Sequence, residues 1–238
     1  MNSNSESQNI QLRKLFQKLE EMDDNNTLEV EHLLKLVHTG NSDFVKPLQA
    51  LKKNHNWLSV KGNLVVNDDT RLIAFGTWTD IICEYLVKGI NGLVECALKK
   101  DEFFSFTISV LEELKGIESF NALSTILLSC TLPQDEGFIM NIINATNMVA
   151  SFKNPPKIDN STTALKTSLC IQETIEYFSN AQPKQNEKIA LCLLSLRGIG
   201  DESTIKFIQK LSPIVEPKYY AGTEKIVIRA IKKRLHLK

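Results

Sequence analysis

A chain of 238 residues with 42% hydrophobic residues, 10 Gly and 7 Pro is long enough for one large domain or two small ones, and can bury a sizeable core. Its 28 Lys+Arg balance 28 Asp+Glu, so no global charge draws it to nucleic acid or to an anionic membrane, and the balance argues against a long disordered tail. The five cysteines, Cys83, Cys96, Cys130, Cys170 and Cys192, are odd in number and widely spaced, which fits reduced core thiols and neither a disulfide framework nor a zinc site.

Met1–Gln11 is polar and has no apolar run after a basic start, so it does not read as a secretory signal and the expected location is the cytoplasm. Apolar residues then recur at helical spacing: Leu12, Leu15, Phe16, Leu19; Val30, Leu33, Leu34, Val37; Phe44, Leu48, Leu51. Trp57 to Val66 departs from this pattern, with Lys61, Gly62 and Asn63 between two short apolar runs, and reads as a small hairpin or an irregular loop. Helical spacing resumes with Phe75, Trp78, Ile82, Tyr85; Phe104, Ile108, Leu111; Phe120, Leu123, Leu127, Cys130; and Ile139, Ile142, Ile143, Val149. About ten helices are predicted, and an all-α fold. The longest uncharged stretches, 119–134 and 137–152, are 16 residues each and fall short of the roughly 20 apolar residues of a bilayer span, so no membrane partner is expected.

Helix limits carry their own chemistry. Asp101, Asp135 and Ser161 are positioned as N-caps, and Pro133, Pro155–Pro156, Pro183 and Pro213 fall between periodic segments. Lys153–Asn160 and Pro213–Thr223 read as connectors. Three segments end alike, in Lys88-Gly89-Ile90, Lys115-Gly116-Ile117 and Arg197-Gly198-Ile199. A basic residue favours the negative end of the helix dipole, glycine accepts the left-handed conformation, and the isoleucine is expected to pack back on the helix. Leu111–Ile117 aligns with Leu193–Ile199 at an offset of 82 residues, twice 41, which lies in the range of stacked helix pairs. Within 187–197, Ile189, Ala190, Leu191, Cys192, Leu193, Leu194 and Leu196 surround one helix with apolar groups, so that helix should be central.

From Asn186 onward the chain resembles HEAT-type helical repeats. Leu193-Leu194-Ser195-Leu196-Arg197-Gly198-Ile199-Gly200-Asp201 corresponds to the family's turn, Ser203–Leu211 to the following helix and Val227-Ile228-Arg229-Ala230-Ile231 to the last one. The resemblance is clearest over 186–236. It implies a right-handed α-α superhelix, a single helical-repeat domain over 1–238 in which 1–85 forms a divergent N-terminal cap or sub-bundle, and a wall that binds other macromolecules. It implies no activity.

Catalytic chemistry has no legible signature. His32, His38, His55 and His236 lack ligand spacing, no phosphate-binding glycine loop occurs, and the acidic run Glu20, Glu21, Asp23, Asp24 reads as a solvated helix end. No cofactor or metal is expected. Trp78 is in phase with core positions, whereas Trp57 stands in a polar connector and is a candidate interface anchor.

Charge is distributed unevenly. Residues 1–50 hold 5 basic and 8 acidic groups, 51–183 hold 11 and 15, and 184–238 hold 12 and 5. On a wheel of about 100° per residue, Lys225, Arg229, Lys232, Lys233 and His236 share one arc while Val227, Ile228, Ile231 and Leu235 fill the next. The candidate partner-binding residues are therefore Lys225, Arg229, Lys232, Lys233 and Trp57. The expected function is a non-enzymatic protein-binding module; general resemblance to helical-repeat immunity proteins suggests one that neutralises a bacterial toxin domain. The alternative is a nucleic-acid-binding protein, or one similar to the HEAT-like alkylpurine DNA glycosylases, using the basic C-terminal helix. The neutral total places nucleic acid behind protein as the partner.

Overall fold

A computed structural model describes residues 10, 13, 14, 17, 27–29, 37, 38, 40–55, 59–62, 71–151, 155–158 and 162–237. The predicted helices at 12–19 and 30–37 lie outside these residues except at isolated helical positions, and Ser161 also lies outside them. The chain divides into two compact units, Met1–Leu114 and Lys115–Lys238, with the boundary at the Lys115-Gly116-Ile117 helix stop.

The first unit begins its described core with a 3-10 turn, Ser42–Phe44, capped by the Asn41 side chain, which accepts from the Asp43 N–H at 2.9 Å. This turn runs into α1 (Val45–His55). Three short strands, one before this turn and two after α1, form a sheet in the order β1 (Thr27–Glu29), β2 (Ser59–Gly62), β3 (Arg71–Ala74), with β1 parallel to β2 and β2 antiparallel to β3. Then come α2 (Phe75–Lys88), α3 (Ile90–Leu98) and α4 (Phe104–Leu114). Helix α2 lies at the centre of the unit, touching α1, α3, α4, β2 and β3. It carries Trp78, 1% exposed, whose ring stands 5.4 Å from that of Phe106 and is flanked by buried Ile81 and Ile82.

The sheet amends the all-α expectation. A strand does occur in the predicted hairpin region, at 59–62, where it pairs with 71–74 and with 27–29; the apolar run at 64–66 lies outside the described residues. Strands of three or four residues are too short for period-two alternation to show in the sequence.

The second unit is entirely helical among its described residues: α5 (Gly116–Leu127), α6 (Glu136–Ser151), α7 (Thr162–Asn180), α8 (Asn186–Ser195), α9 (Glu202–Ile208) and α10 (Thr223–Arg234). Together the two units hold ten α-helices in the described chain. Helix α8 packs on α6, α7 and α10, and its Ile189, Ala190, Cys192 and Leu193 are buried, as expected of a helix apolar on nearly all sides.

The three similar helix endings are built differently. Gly89 and Gly116 adopt the positive φ values, +63° and +80°, that favour glycine, although ψ of −150° takes Gly89 out of the left-handed helical conformation expected of it. Gly198 does not adopt a positive φ, and its glycine answers to space: a Cβ there would stand 2.2 Å from the Ala150 carbonyl oxygen at the end of α6. The isoleucines diverge as well, since Ile199 is buried while Ile117 is 42% exposed and cannot act as a staple. Sequence likeness at 82 residues' separation thus joins two turns of different geometry. Of the predicted caps, Asp101 accepts from the Phe103 N–H at 2.9 Å, and Asp135 reaches back to the Thr131 N–H at 2.8 Å, closing the loop that precedes α6.

Replacing Gly198 by Ala should therefore force the turn away from α6 and cost about 1–3 kcal/mol. Gly137→Ala, in α6 where nothing lies within 4 Å of the added carbon, should be neutral or slightly stabilising. Chemical denaturation of the two variants, compared with the parent chain, checks this difference.

Candidate functional site

The last helix owes its position to the turn before α9. Arg197 donates through Nη2 to the Asn147 side-chain oxygen on α6 at 2.8 Å and through Nε to the Leu194 carbonyl at 2.9 Å. Asp201 caps α9 by accepting from the Thr204 N–H at 2.9 Å, and the Thr204 hydroxyl closes a capping box on the Asp201 N–H. The Thr204 hydroxyl also meets that of Ser168 on α7 at 3.1 Å, in a buried position. From α10, Arg234 donates to the Gly200 carbonyl. Sequence reasoning left Arg234 unassigned; it is turned inward, and burial lowers the pKa of its guanidinium while the nearby Asp201 charge acts the other way.

With Val227 and Ile231 fully buried against α8 and α9, the outer face of α10 is set. Lys225, Arg229 and Lys233 are exposed along it, Lys232 is half-buried, and His236 is exposed just past the helix end. The wheel thus separates Val227 and Ile231 from Lys225, Arg229 and Lys233, while Ile228, Lys232 and Leu235 are half-buried between the two faces. Lys225, Arg229 and Lys233 form no ion pair among the described residues, in contrast with Lys52 on Asp80 at 2.6 Å and Lys88 between Glu84 and Glu95. The one acidic residue of α10, Glu224, is buried and spends a carboxylate oxygen on the Ile214 N–H. The outer face is therefore cationic without internal compensation. Trp57 lies outside the described residues, so the fifth candidate is not placed with the other four.

An open cleft of about 520 Å³ lies where the start of α8 faces Glu216 and Pro217. Its central charges are already engaged: Lys188 pairs with Glu136 and lies 5.1 Å above the Phe178 ring, and Glu187 accepts from the Tyr219 hydroxyl at 3.1 Å. No nucleophile is paired with a base along that wall.

Histidine and cysteine positions complete the inventory. His38 meets Glu113 at 3.3 Å on an exposed surface. Among the described residues no three His, Cys, Asp or Glu side chains converge as a metal would require, and no helix is long and apolar enough to cross a membrane. Burial, aided by the Asp80 charge, pushes the Cys83 thiol up to about 11, and burial with Glu173 does the same for Cys170. Cys96 and fully buried Cys192 are raised for the same first reason. A raised thiol holds little thiolate at neutral pH and is a poor nucleophile.

No family model, curated protein or solved structure matches this chain.

Two outcomes follow from these environments. Iodoacetamide at pH 7 should label Cys83, Cys170 and Cys192 at least tenfold more slowly in the native chain than in denaturant, read by peptide mass spectrometry. Asp201 is raised by burial but lowered more by hydrogen bonds from Ser203 and Thr204, so its folded pKa lies below the unfolded value. Its stabilising contribution is therefore present above the unfolded carboxylate range near pH 4 and is lost as pH falls through the folded pKa. Asp201→Ala should cost about 1–2 kcal/mol at pH 7 and flatten that acid limb, whereas Asp201→Asn should keep most of the cap.

Proposed function

We propose that the chain is a non-enzymatic protein-binding module whose second unit is a HEAT-like stack of helices and whose outer α10 face meets an acidic surface of a partner. The observation that carries this reading is the row Lys225, Arg229 and Lys233, exposed and without ion pairs among the described residues, on a helix whose Val227 and Ile231 are fully buried. A rigid, uncompensated cationic row steers an oppositely charged partner and suppresses like-charged ones, acting on association rate and specificity. The stacked contacts of α5 to α10 and the brace around Arg197 and Asp201 support a repeat-like arrangement. An immunity protein that covers a toxin domain is a narrower form of the same proposal and rests on that architecture alone.

A nucleic-acid ligand would use the same cations, so the test carries both partners. Lys225→Glu, Arg229→Glu and Lys233→Glu combined should leave the melting temperature nearly unchanged, because all three side chains are exposed. The triple variant should weaken capture of the native protein partner about 100-fold in about 0.1 M salt, with nuclease treatment making no difference. Undiminished capture by the variant contradicts the reading. Tight binding of a 20-base-pair duplex by the parent chain, falling steeply with salt, would replace it with the nucleic-acid alternative.

A further inference from the structure

The connector before α10 is tied into a closed ring. The Ile214 N–H donates to Glu224, the Gly222 N–H returns to the Ile214 carbonyl at 3.2 Å, and the Thr223 hydroxyl donates to the Tyr220 carbonyl at 2.6 Å. Buried Ile214 anchors this ring below the first turn of α10. Val215 follows that anchor and Lys225 follows its partner Glu224, so the Ile214–Glu224 bond ties the connector to the start of the cationic row. Within the same stretch three large apolar side chains face solvent: Val215 at 67%, Tyr219 at 73% and Ile226 at 54%. Tyr219 is held in place despite that exposure, since its ring lies 4.4 Å from that of Tyr220 and its hydroxyl is bonded to Glu187. Such a side chain has already lost much of the rotamer freedom that binding would otherwise remove.

We propose that Val215, Tyr219 and Ile226 are the apolar anchors of a docking surface whose cationic border is Lys218, Lys225, Arg229 and Lys233, and that its occupant is an acidic protein surface with an apolar recess. This rests on the α10 reading above and extends it to residues that composition and charge do not mark. Duplex nucleic acid would satisfy the cations but presents phosphates and sugars to the three apolar groups, leaving their area without a complement. A protein interface takes both, with aromatic anchors at the centre and charge at the border. Two exposed carboxylates, Glu216 in the ring and Glu187 on the Tyr219 hydroxyl, stand against the four cations Lys218, Lys225, Arg229 and Lys233, so the local balance is positive.

Site-specific photo-crosslinking in cells that express the full chain tests the assignment. The photoreactive p-benzoylphenylalanine is introduced in place of Val215, Tyr219 or Ile226, in place of Arg229, and, as controls on other exposed apolar positions, in place of Val87 or Leu169. The expected result is a discrete adduct from 215, 219 and 226 that mass spectrometry maps to an acidic peptide of one protein. It should be absent at 87 and 169, and at least tenfold weaker in the Lys225→Glu, Arg229→Glu, Lys233→Glu background. Separately, Tyr219→Ala should speed dissociation of that partner about tenfold, with less effect on the association rate. Adducts from 229 but none from 215, 219 or 226 would overturn the anchor assignment and leave the α10 reading standing. No protein adduct at any of these positions, or adducts only to nucleic acid or lipid, would overturn both. Equal crosslinking at 87 and 169 would show a nonspecific surface and overturn the anchor assignment.

Discussion

The approach of Gly198 to the end of α6 is the contact on which the second unit depends. With the Ala150 carbonyl filling the space that any side chain would need, the turn from Leu196 to Asp201 is pressed onto its neighbour and has little freedom to shift. Polar groups then fix what contact begins. Arg197 ties the turn to Asn147, Asp201 starts α9, Thr204 reaches Ser168 on α7, and Arg234 brings α10 onto the Gly200 carbonyl. Four helices are referred to one short segment, and each tie satisfies a group that would be costly to bury alone.

The position of α10 has a direct functional consequence. A basic helix with its cations on every side would be an adaptable charged segment; here Arg234 is consumed inside while Lys225, Arg229 and Lys233 remain outside. The same division applies to acids, because Glu224 is withdrawn to hold the Ile214 N–H. Residues 1–114 contain 12 Lys+Arg against 17 Asp+Glu, and 115–238 contain 16 against 11, so the net zero of the chain conceals two units of opposite sign. The outer α10 face is more polarised than either total suggests, and this local excess matters most for an encounter screened beyond about 8–10 Å in physiological salt.

Much of this organisation is legible in the residues. Helical periodicity identifies the elements that pack, the all-round apolar character of 187–197 identifies the central α8, and the wheel of the last helix separates Val227 and Ile231 from Lys225 and Arg229. What escapes detection does so for physical reasons. Strands of three and four residues lack a readable period, and a Lys/Arg-Gly-Ile ending cannot tell a left-handed glycine at 116 from a glycine required by contact at 198. Arg234 falls outside the basic arc of the wheel, and its role becomes visible only when the Gly200 carbonyl is seen opposite it. Tyr219 and Val215 stand in a proline-flanked connector with no periodicity at all, and only the hydrogen bonds of Ile214 to Glu224 and Gly222 show that this connector is tied to the start of α10.

Lysine footprinting of the full chain, bound to its captured protein partner and free, tests the central claim most directly. Acetylation of Lys225 and Lys233 should slow several-fold in the complex, while Lys46 and Lys166, exposed on α1 and α7, should react at unchanged rates. Equal labelling of Lys225 and Lys233 in the two states, with protection elsewhere, would contradict a partner seated on the outer face of α10.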